Sequence, residues 1–143
     1  MQAYLALGSN TGDRYENLNR AVWAISLLPK TKIFAMSHIY ETKPVGFLPQ
    51  GNFYNAVLRV DTGLSPHALL GACLGIEAGL GRIRHGIVKN GPRSIDIDIL
   101  KCEDFECDEP ELMLPHPRMN ERAFVIVPLY DIIRDKETKA VYD

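Results

Sequence analysis

The stretch "GPRSIDIDIL", residues 91–100, alternates apolar and acidic side chains. Side chains at positions i and i+2 of a β-strand lie on the same face of the sheet. The stretch therefore predicts a strand whose isoleucines face a core, while Asp96 and Asp98 lie side by side on the opposite face. Aspartate is unfavourable in strands, and like charges on one face repel. A bound cation explains this carboxylate pair better than the alternative, a half-exposed strand with an acidic outer face.

The cation that best suits this pair is Mg²⁺, because it binds hard carboxylate oxygens and completes its shell with water and phosphate oxygens. Positively charged and imidazole side chains flank the pair along the chain: Arg82, Arg84, Arg93, His116, Arg118 and Arg122. A single exposed arginine is usually a solvated surface charge, but a guanidinium also matches phosphate oxygens with a planar fork of donors. The combination predicts polyphosphate chemistry, in which Mg²⁺ offsets ground-state charge and arginine stabilises the transition state.

The composition is that of a single ordinary globular domain of 143 residues, with 46% hydrophobic and 24% charged residues. A net charge of −2 argues against a general nucleic-acid binder. The three cysteines lack the spacing of a zinc motif and do not form an even set, so we interpret them as bystander thiols of a cytoplasmic protein. No stretch has the length of a signal peptide or membrane span, and we expect no membrane partner.

Hydrophobic periodicity predicts four main strands and three helices. Ser65 and Pro66 suit the N-cap and first residue of the second helix. The expected elements are strands over 2–10, 32–42, 52–62 and 94–101 and helices over 13–28, 64–81 and 124–133. The order βαββαβ predicts an α+β, ferredoxin-like fold: an antiparallel sheet with helices on one face, plus an additional C-terminal helix.

The second predicted strand, "KIFAMSHIYET", is expected to be continuous. A regular alternation would place four of its side chains on one face of the sheet: Ile33, Ala35, Ser37 and Ile39. The strand that follows it in the chain is its expected neighbour.

The third predicted strand carries Phe53 and Asn55 on one face. An aromatic plane beside an amide suits a flat heterocycle that stacks and forms hydrogen bonds. The alternative, a core phenylalanine beside a surface asparagine, is at least as good an explanation of these two residues alone.

Several motifs occur in a characteristic order along the chain: "LGSN", "YETKPVG", "NFYNAV", "GRIRHG", "NGPRSIDIDIL", "LPHPRM" and "ERAFVIVPL". Together they resemble the 6-hydroxymethyl-7,8-dihydropterin pyrophosphokinase family of folate biosynthesis. The resemblance extends from Ala3 to about Ile132, and its most specific part is GPRxxDxDxL followed by PHPR.

This resemblance implies an enzyme that transfers the β,γ-pyrophosphoryl group of ATP to the 6-hydroxymethyl group of a dihydropterin and releases AMP. It also implies two Mg²⁺ ions and a monomer, with ATP and a dihydropterin as small-molecule partners and no nucleic-acid or membrane partner; association with other folate enzymes stays open.

The resemblance also implies roles for individual residues. Asp96 and Asp98 would bind both metal ions and, with Arg82 and Arg93, form the catalytic set. The residues implied for ATP binding are Glu77, Arg82, Arg84, Arg93, Ile99, His116 and Arg122. Phe53 and Phe124 would stack on the pterin, Asn55 would bond its edge, and Thr42 and Val45 would offer backbone groups.

The chain departs from the family pattern at several positions. Lys89 and Asn90 stand where relatives often carry a tryptophan, Leu74 stands where a glutamine often contacts adenosine, and Lys43 replaces a common proline. Whether this loop makes the stacking contact that the tryptophan provides in those relatives is left open by the sequence.

Two other functions fit parts of the pattern. A nucleotidyl transferase shares the paired aspartates of a ferredoxin-like core but would release pyrophosphate, and the acidic net charge argues against a nucleic-acid substrate. A non-enzymatic ligand-binding module of the same fold would leave the aspartate pair and the arginine cluster unexplained.

Overall fold

The computed structural model describes residues 1–44, 50–81 and 94–134. These residues form a mixed α/β fold with an antiparallel sheet and three helices. In chain order, the elements are β1 (Gln2–Ser9), α1 (Arg14–Ser26), β2 (Thr31–Met36), β3 (Tyr40–Thr42), β4 (Phe53–Thr62), α2 (Pro66–Gly79), β5 (Asp96–Cys102), β6 (Cys107–Glu109), β7 (Leu112–Leu114), a 3-10 turn (Met119–Glu121) and α3 (Ala123–Arg134).

The main sheet has the strand order β2-β4-β1-β5, and each neighbouring pair is antiparallel. The second half of β4 pairs with β2, while its first half pairs with the short strand β3. A separate hairpin is formed by β6 and β7. Because β1 and β4 occupy the centre of the sheet, the helices on both faces of the sheet pack against residues of these two strands.

The two faces of the sheet belong to two different apolar clusters. Ile97 and Ile99 pack in the cluster that contains the buried faces of α1 and α2. Leu100 packs in the other cluster, with Val57 and with Leu129 of α3. The predicted alternation is therefore confirmed over residues 95–100, since the isoleucines face one core and Asp96, Asp98 and Leu100 face the side that α3 covers.

Side-chain caps define the starts of α1 and α2. Asp13 Oδ1 accepts a hydrogen bond from the Glu16 N–H at 3.0 Å, and Ser65 Oγ accepts one from the Ala68 N–H at 3.1 Å. Pro66 is the first residue of α2, where its missing N–H costs no helical hydrogen bond. The predicted start of the second helix is thus confirmed.

The expectation of one continuous strand over 32–42 is wrong, because the segment forms β2 and β3 with a break between them. At the break, the Ser37 N–H donates to the Val57 carbonyl at 2.9 Å, and Ser37 Oγ accepts from the Val57 N–H at 2.8 Å. The serine hydroxyl therefore replaces a backbone carbonyl in the ladder, which a hydrophobicity pattern does not reveal.

The expectation that Ile33 and Ala35 share a face is also wrong. The pairing register between β2 and β4 shifts between these two residues. An extra residue in one strand reverses the alternation beyond it. Ile33 consequently packs with the α1 and α2 cluster, whereas Ala35 packs on the side of α3.

The turn after β1 anchors the chain segment that enters β4. Asn10 is 7% exposed, and its Nδ2 donates to Gln50 Oε1 at 2.7 Å and to the Gly51 carbonyl at 3.1 Å. Gly12 has φ +67°, a conformation that favours glycine. Asn10 and Gly12 thus have structural roles in the sharp connection between β1 and α1.

The helix predicted over 124–133 is confirmed as α3. A carboxylate ties it to the sheet: Asp131 Oδ2 accepts hydrogen bonds from the Tyr40 hydroxyl at 2.7 Å and from the His38 N–H at 3.1 Å. Across the described ranges, no helix combines the length and apolar character that crossing a membrane requires.

The three cysteines differ in accessibility. Cys73 and Cys102 are 1% and 4% exposed, whereas Cys107 is half-buried. Burial, reinforced by the charges of Glu77 and Asp98, raises the pKa of Cys73 to about 12. Desolvation and the nearby Glu109 also raise the pKa of Cys107. Access to reagent therefore decides which thiol reacts first.

We expect a thiol reagent at pH 8, in the presence of a metal chelator, to label Cys107 quickly in the native protein and to leave Cys73 unlabelled. At this pH only about 10⁻⁴ of the Cys73 thiol would be ionised, and the thiolate is the reactive form. Peptide mass spectrometry after timed labelling identifies the sites, and labelling in urea shows that all three thiols are intact. Labelling of Cys73 at the rate of Cys107 would contradict the buried position of α2 against the sheet.

Candidate active site

The acidic pair of β5 lies against the smallest side chains of β1. Asp96 is opposite Gly8 and Asp98 is opposite Ala6. Both aspartates are partly exposed, and both line a pocket on the face of the sheet that α3 partly covers. The small residues opposite them leave the carboxylates reachable from the pocket, on one face as the alternation predicted.

The pocket is lined by residues of β1, β3, β4, β5 and α3 and of the segment that leads into α3. Its lining includes seven of the predicted site residues, namely Thr42, Phe53, Asn55, Asp96, Asp98, Arg122 and Phe124. The remaining lining residues are Ala6, Leu7, Gly8, Lys43, Arg118 and Val125. The pocket thus has an acidic side on β5, an aromatic and amide side on β4, and two arginines beside α3.

The amide side of the pocket is fixed by a side-chain hydrogen bond. Asn55 is 6% exposed, and its Nδ2 donates to Thr42 Oγ1 on the neighbouring strand. This bond orients the amide, because the nitrogen faces Thr42 and the oxygen lies on the side of Gly8. The arrangement suits recognition of a planar ligand edge.

Gly8 is a site residue that sequence reasoning did not select. A Cβ atom at this position would lie 3.0 Å from Asn55 Oδ1 and 3.5 Å from Phe53 Cδ1. Glycine inside a strand often marks a place where another group approaches the backbone closely. The position of Gly8 within β1 was therefore the sequence signal for this contact. Lys43, to which no role was assigned, also lines the pocket, as does Arg118, which the sequence placed only among the cations flanking the aspartate pair.

The aromatic side includes a stacked cation. The guanidinium of Arg122 lies 5.5 Å from the centre of the Phe124 ring. This distance is within the range of cation–π attraction. The contact places a positive charge beside a ring that lines the same pocket as the aspartates.

His116 lies near the cationic side, although it is not among the described residues that line the pocket. Burial lowers its pKa, and the charges of Arg122 and Arg118 lower it further against the opposing effect of Asp96. Its Nδ1 accepts a hydrogen bond from the Arg118 N–H at 3.2 Å. A neutral imidazole in this arrangement carries its proton on Nε2, which makes that nitrogen a donor.

Glu77 and Ile99, which the family resemblance assigned to ATP, are buried within the fold. Glu77 is 1% exposed, and its Oε2 accepts a hydrogen bond from the Ile97 N–H at 2.9 Å. Ile99 is 5% exposed and belongs to the core beneath α1 and α2. Neither is among the described residues of the pocket, and their contact with a nucleotide stays a prediction.

Four other predicted site residues lie outside the described residues: Val45, Arg82, Arg84 and Arg93. The same holds for Lys89 and Asn90. Their assignments stay predictions.

The chemistry of the pocket fits a hard divalent cation. Asp96 and Asp98 offer carboxylate oxygens from one face of one strand, and Arg118 and Arg122 supply charges that anions would meet. Mg²⁺ commonly binds through one or two carboxylates together with phosphate oxygens. The donor set therefore agrees with a magnesium–phosphate ligand.

Residues 4–134 match the family described as 7,8-dihydro-6-hydroxymethylpterin-pyrophosphokinase (HPPK). The chain belongs to the HPPK family. It is therefore a pyrophosphokinase, a class of transferase.

Curated relatives of the HPPK family cover nearly the whole chain. A 2-amino-4-hydroxy-6-hydroxymethyldihydropteridine pyrophosphokinase of Methylorubrum extorquens is 46% identical over 134 residues, which are 94% of this chain and 84% of the relative. The enzyme of the same name from Bacillus subtilis is 42% identical over 138 residues, 96% of this chain and 81% of the relative.

Solved structures support the fold. A crystal structure of Plasmodium falciparum HPPK-DHPS with the A437G substitution superposes with a TM-score of 0.68 at 15% identity, over 92% of this chain. A wild-type structure of that protein gives a TM-score of 0.63 at 17% identity, also over 92%. The present chain spans 41% and 40% of those longer chains, respectively.

Proposed function

We propose that this HPPK family member transfers the β,γ-pyrophosphoryl group of ATP to the hydroxymethyl oxygen of 6-hydroxymethyl-7,8-dihydropterin and releases AMP, as a step of folate biosynthesis. The observation that carries the proposal is one pocket that joins the Asp96 and Asp98 carboxylates to Phe53, Asn55 and Phe124.

The proposed pterin site is the aromatic and amide side of the pocket. Phe53 and Phe124 supply flat apolar surfaces, and Asn55, held by Thr42, supplies a fixed hydrogen-bonding group. A planar, polar heterocycle satisfies both requirements because it stacks through its faces and bonds through its edge. Backbone groups of Thr42 and Val45 are proposed to complete that edge.

The proposed nucleotide site is the charged side of the pocket. Asp96 and Asp98 would hold two Mg²⁺ ions, which, when bound, offset phosphate charge and lower the pKa of the substrate hydroxyl. Arg122 lies beside this pair, and His116 presents an Nε2 donor close by. The family resemblance adds Arg82, Arg84 and Arg93 for the triphosphate and Glu77 and Ile99 for the nucleoside.

The reaction forms a bond between the pterin oxygen and the β-phosphorus, and it breaks the bond from that phosphorus to the bridging oxygen of the α-phosphate. AMP leaves with the bridging oxygen, and the hydroxyl proton passes to solvent water. The chain's own residues would align the two substrates and stabilise charge, as phosphoryl transfer generally requires.

We further propose that residues 1–143 form one pyrophosphokinase domain and that the enzyme is cytoplasmic and monomeric, with no nucleic-acid or membrane partner. A ferredoxin-like topology is also proposed, supported by the strand order β5-β1-β4-β2 and by α1 and α2 packing with one apolar cluster.

The test is to incubate the protein with MgATP and the hydroxymethyl dihydropterin and to identify the nucleotide product by ion-exchange chromatography. We expect AMP in equal amount to pterin diphosphate, and none when the pterin is omitted or Mg²⁺ is chelated. ADP, free pyrophosphate or unchanged ATP would each contradict the proposal, by indicating a simple kinase, a nucleotidyl transferase or a binding module.

Replacing Gly8 with alanine is expected to raise the KM for the pterin about tenfold, because the new Cβ would displace the Asn55 amide that lies 3.0 Å away. Steady-state rates of AMP formation at varied pterin concentration measure the effect.

The matched control is Gly71→Ala on α2, where a Cβ would meet nothing within 4 Å. Alanine in a helix is favourable, so this variant should keep the KM and unfold at a slightly higher temperature. If both variants kept the wild-type KM, Asn55 would not contact the pterin as proposed.

A further inference from the structure

Three potential metal ligands meet away from the pocket, where the first turn of α2 faces the β6–β7 hairpin. His67 Nε2 lies 2.8 Å from Glu109 Oε2, and the Cys107 sulfur completes a group whose ligand atoms all lie within 4.8 Å of one another. No other group of three or more such ligands occurs within residues 1–44, 50–81 and 94–134.

The three ligand atoms lie close enough together for one metal ion to contact all of them. Zinc bonds of about 2.0–2.3 Å place neighbouring ligand atoms about 3.3–3.8 Å apart. The His67–Glu109 separation of 2.8 Å is shorter than this range, and the separations to the Cys107 sulfur are at most 4.8 Å. His67 is exposed and Cys107 and Glu109 are partly exposed, so a cation and a completing water molecule can enter from solvent.

The kinds of ligand select the metal. One thiolate, one imidazole and one carboxylate form a mixed sulfur, nitrogen and oxygen set that suits zinc, whereas Mg²⁺ and Ca²⁺ prefer oxygen alone. The carboxylate of Glu111 lies close enough to interact with Glu109 and adds negative charge to this surface. A soft or borderline divalent cation is therefore favoured here, in contrast to the acidic pocket.

We propose that His67, Cys107 and Glu109 form a second metal site, which binds a thiophilic divalent cation such as Zn²⁺. On binding, the sulfur releases its proton to the buffer and forms the metal–sulfur bond. The proton that His67 Nε2 donates to Glu109 also leaves, to the buffer from an imidazolium or to Nδ1 of a neutral ring by way of water, and Nε2 and Oε2 then each bond to the metal. The spacing of the cysteines did not reveal this site because its ligands come from positions 67, 107 and 109, on two distant elements.

The metal would connect α2 to the hairpin. The three ligands belong to α2 and β6, and none of them lines the pocket. The site is thus expected to stabilise the fold without taking part in turnover.

The test uses Co²⁺, which reports a bound thiolate by a charge-transfer absorption in the near ultraviolet. Reduced protein freed of metal is titrated with Co²⁺ in excess Mg²⁺, which occupies the carboxylate pair of β5. We expect one equivalent of Co²⁺ to produce the absorption, Zn²⁺ to abolish it by displacement, and Zn²⁺ to raise the melting temperature.

Two pairs of variants assign the ligands. Cys107→Ser is expected to abolish the absorption, whereas Cys73→Ala, at a buried thiol, keeps it. His67→Gln is expected to weaken Co²⁺ binding at least about tenfold, whereas His38→Gln, at another exposed histidine, leaves it unchanged.

The proposal fails if wild-type protein shows no thiolate absorption, because His67 and Glu109 would then form an ion pair only. It also fails if the absorption persists in Cys107→Ser or if His67→Gln binds Co²⁺ as tightly as wild type. Since His67 is exposed, its variant remains informative even if Cys107→Ser does not fold.

Discussion

Asp98→Ala is expected to lower kcat for AMP formation by at least about 10³-fold while the protein stays folded. The carboxylate lies in the proposed active-site pocket, opposite Ala6, and the adjacent isoleucines of β5 carry the core packing. Removing it would leave Asp96 as the single aspartate of the pair to bind the proposed magnesium ions, through which the triphosphate would be held. Turnover is measured across a range of Mg²⁺ concentrations. A circular dichroism melt of the same variant shows whether the protein is still folded.

Two further variants sharpen this experiment. Asp98→Asn keeps the shape of the side chain but removes its charge, and we expect it to be almost as inactive as Asp98→Ala. Asp61→Ala changes an exposed aspartate on β4 that does not line the pocket, and it should keep turnover within about twofold. Full turnover by Asp98→Ala would eliminate the metal role of this residue.

Glu77→Ala is expected to reduce the free energy of unfolding by about 3 kcal/mol. In the described part of the sheet, β5 is an edge strand, and Glu77 Oε2 accepts the hydrogen bond of the Ile97 N–H. Alanine would leave that buried N–H without this acceptor and would open a cavity beneath α2. Urea unfolding measures the loss as a lower midpoint at an unchanged slope.

Because Ile97 lies between Asp96 and Asp98, Glu77→Ala should also reduce turnover well below the melting temperature. Glu77→Gln is the matched variant, since its amide oxygen can still accept from Ile97, and we expect less than half of the loss in stability. An unfolding midpoint of Glu77→Ala equal to that of wild type would show that this hydrogen bond does not stabilise the strand.

The sequence predicted the parts of the fold that depend on repeating patterns. The alternation in β5 placed its isoleucines in one core and its aspartates on the other face, because a strand has a strict two-residue period. Ser65 and Pro66 marked the start of α2, because their chemistry suits only the first positions of a helix. These patterns depend only on residues that are near one another in the sequence, so they can be recognised without knowing which elements pack against them.

The features that the sequence did not predict depend on partners distant in the chain. The register shift after Ile33 is visible only once β2 is paired with β4. The role of Gly8 depends on Asn55 of a neighbouring strand, and the hairpin β6–β7 consists of strands of three residues each, too short for a recognisable period. The pairing of strands decides these features, and the secondary-structure propensity of the residues does not.

The position of α3 at the end of the described chain has a consequence for synthesis. Every strand of the main sheet precedes α3 in the sequence, yet this helix supplies Phe124 to the pocket and Asp131, which accepts hydrogen bonds from His38 and Tyr40. During synthesis on the ribosome, the sheet can assemble before α3, which forms one side of the pocket, has emerged. A nascent chain would therefore form the sheet before it could bind substrate in the proposed site.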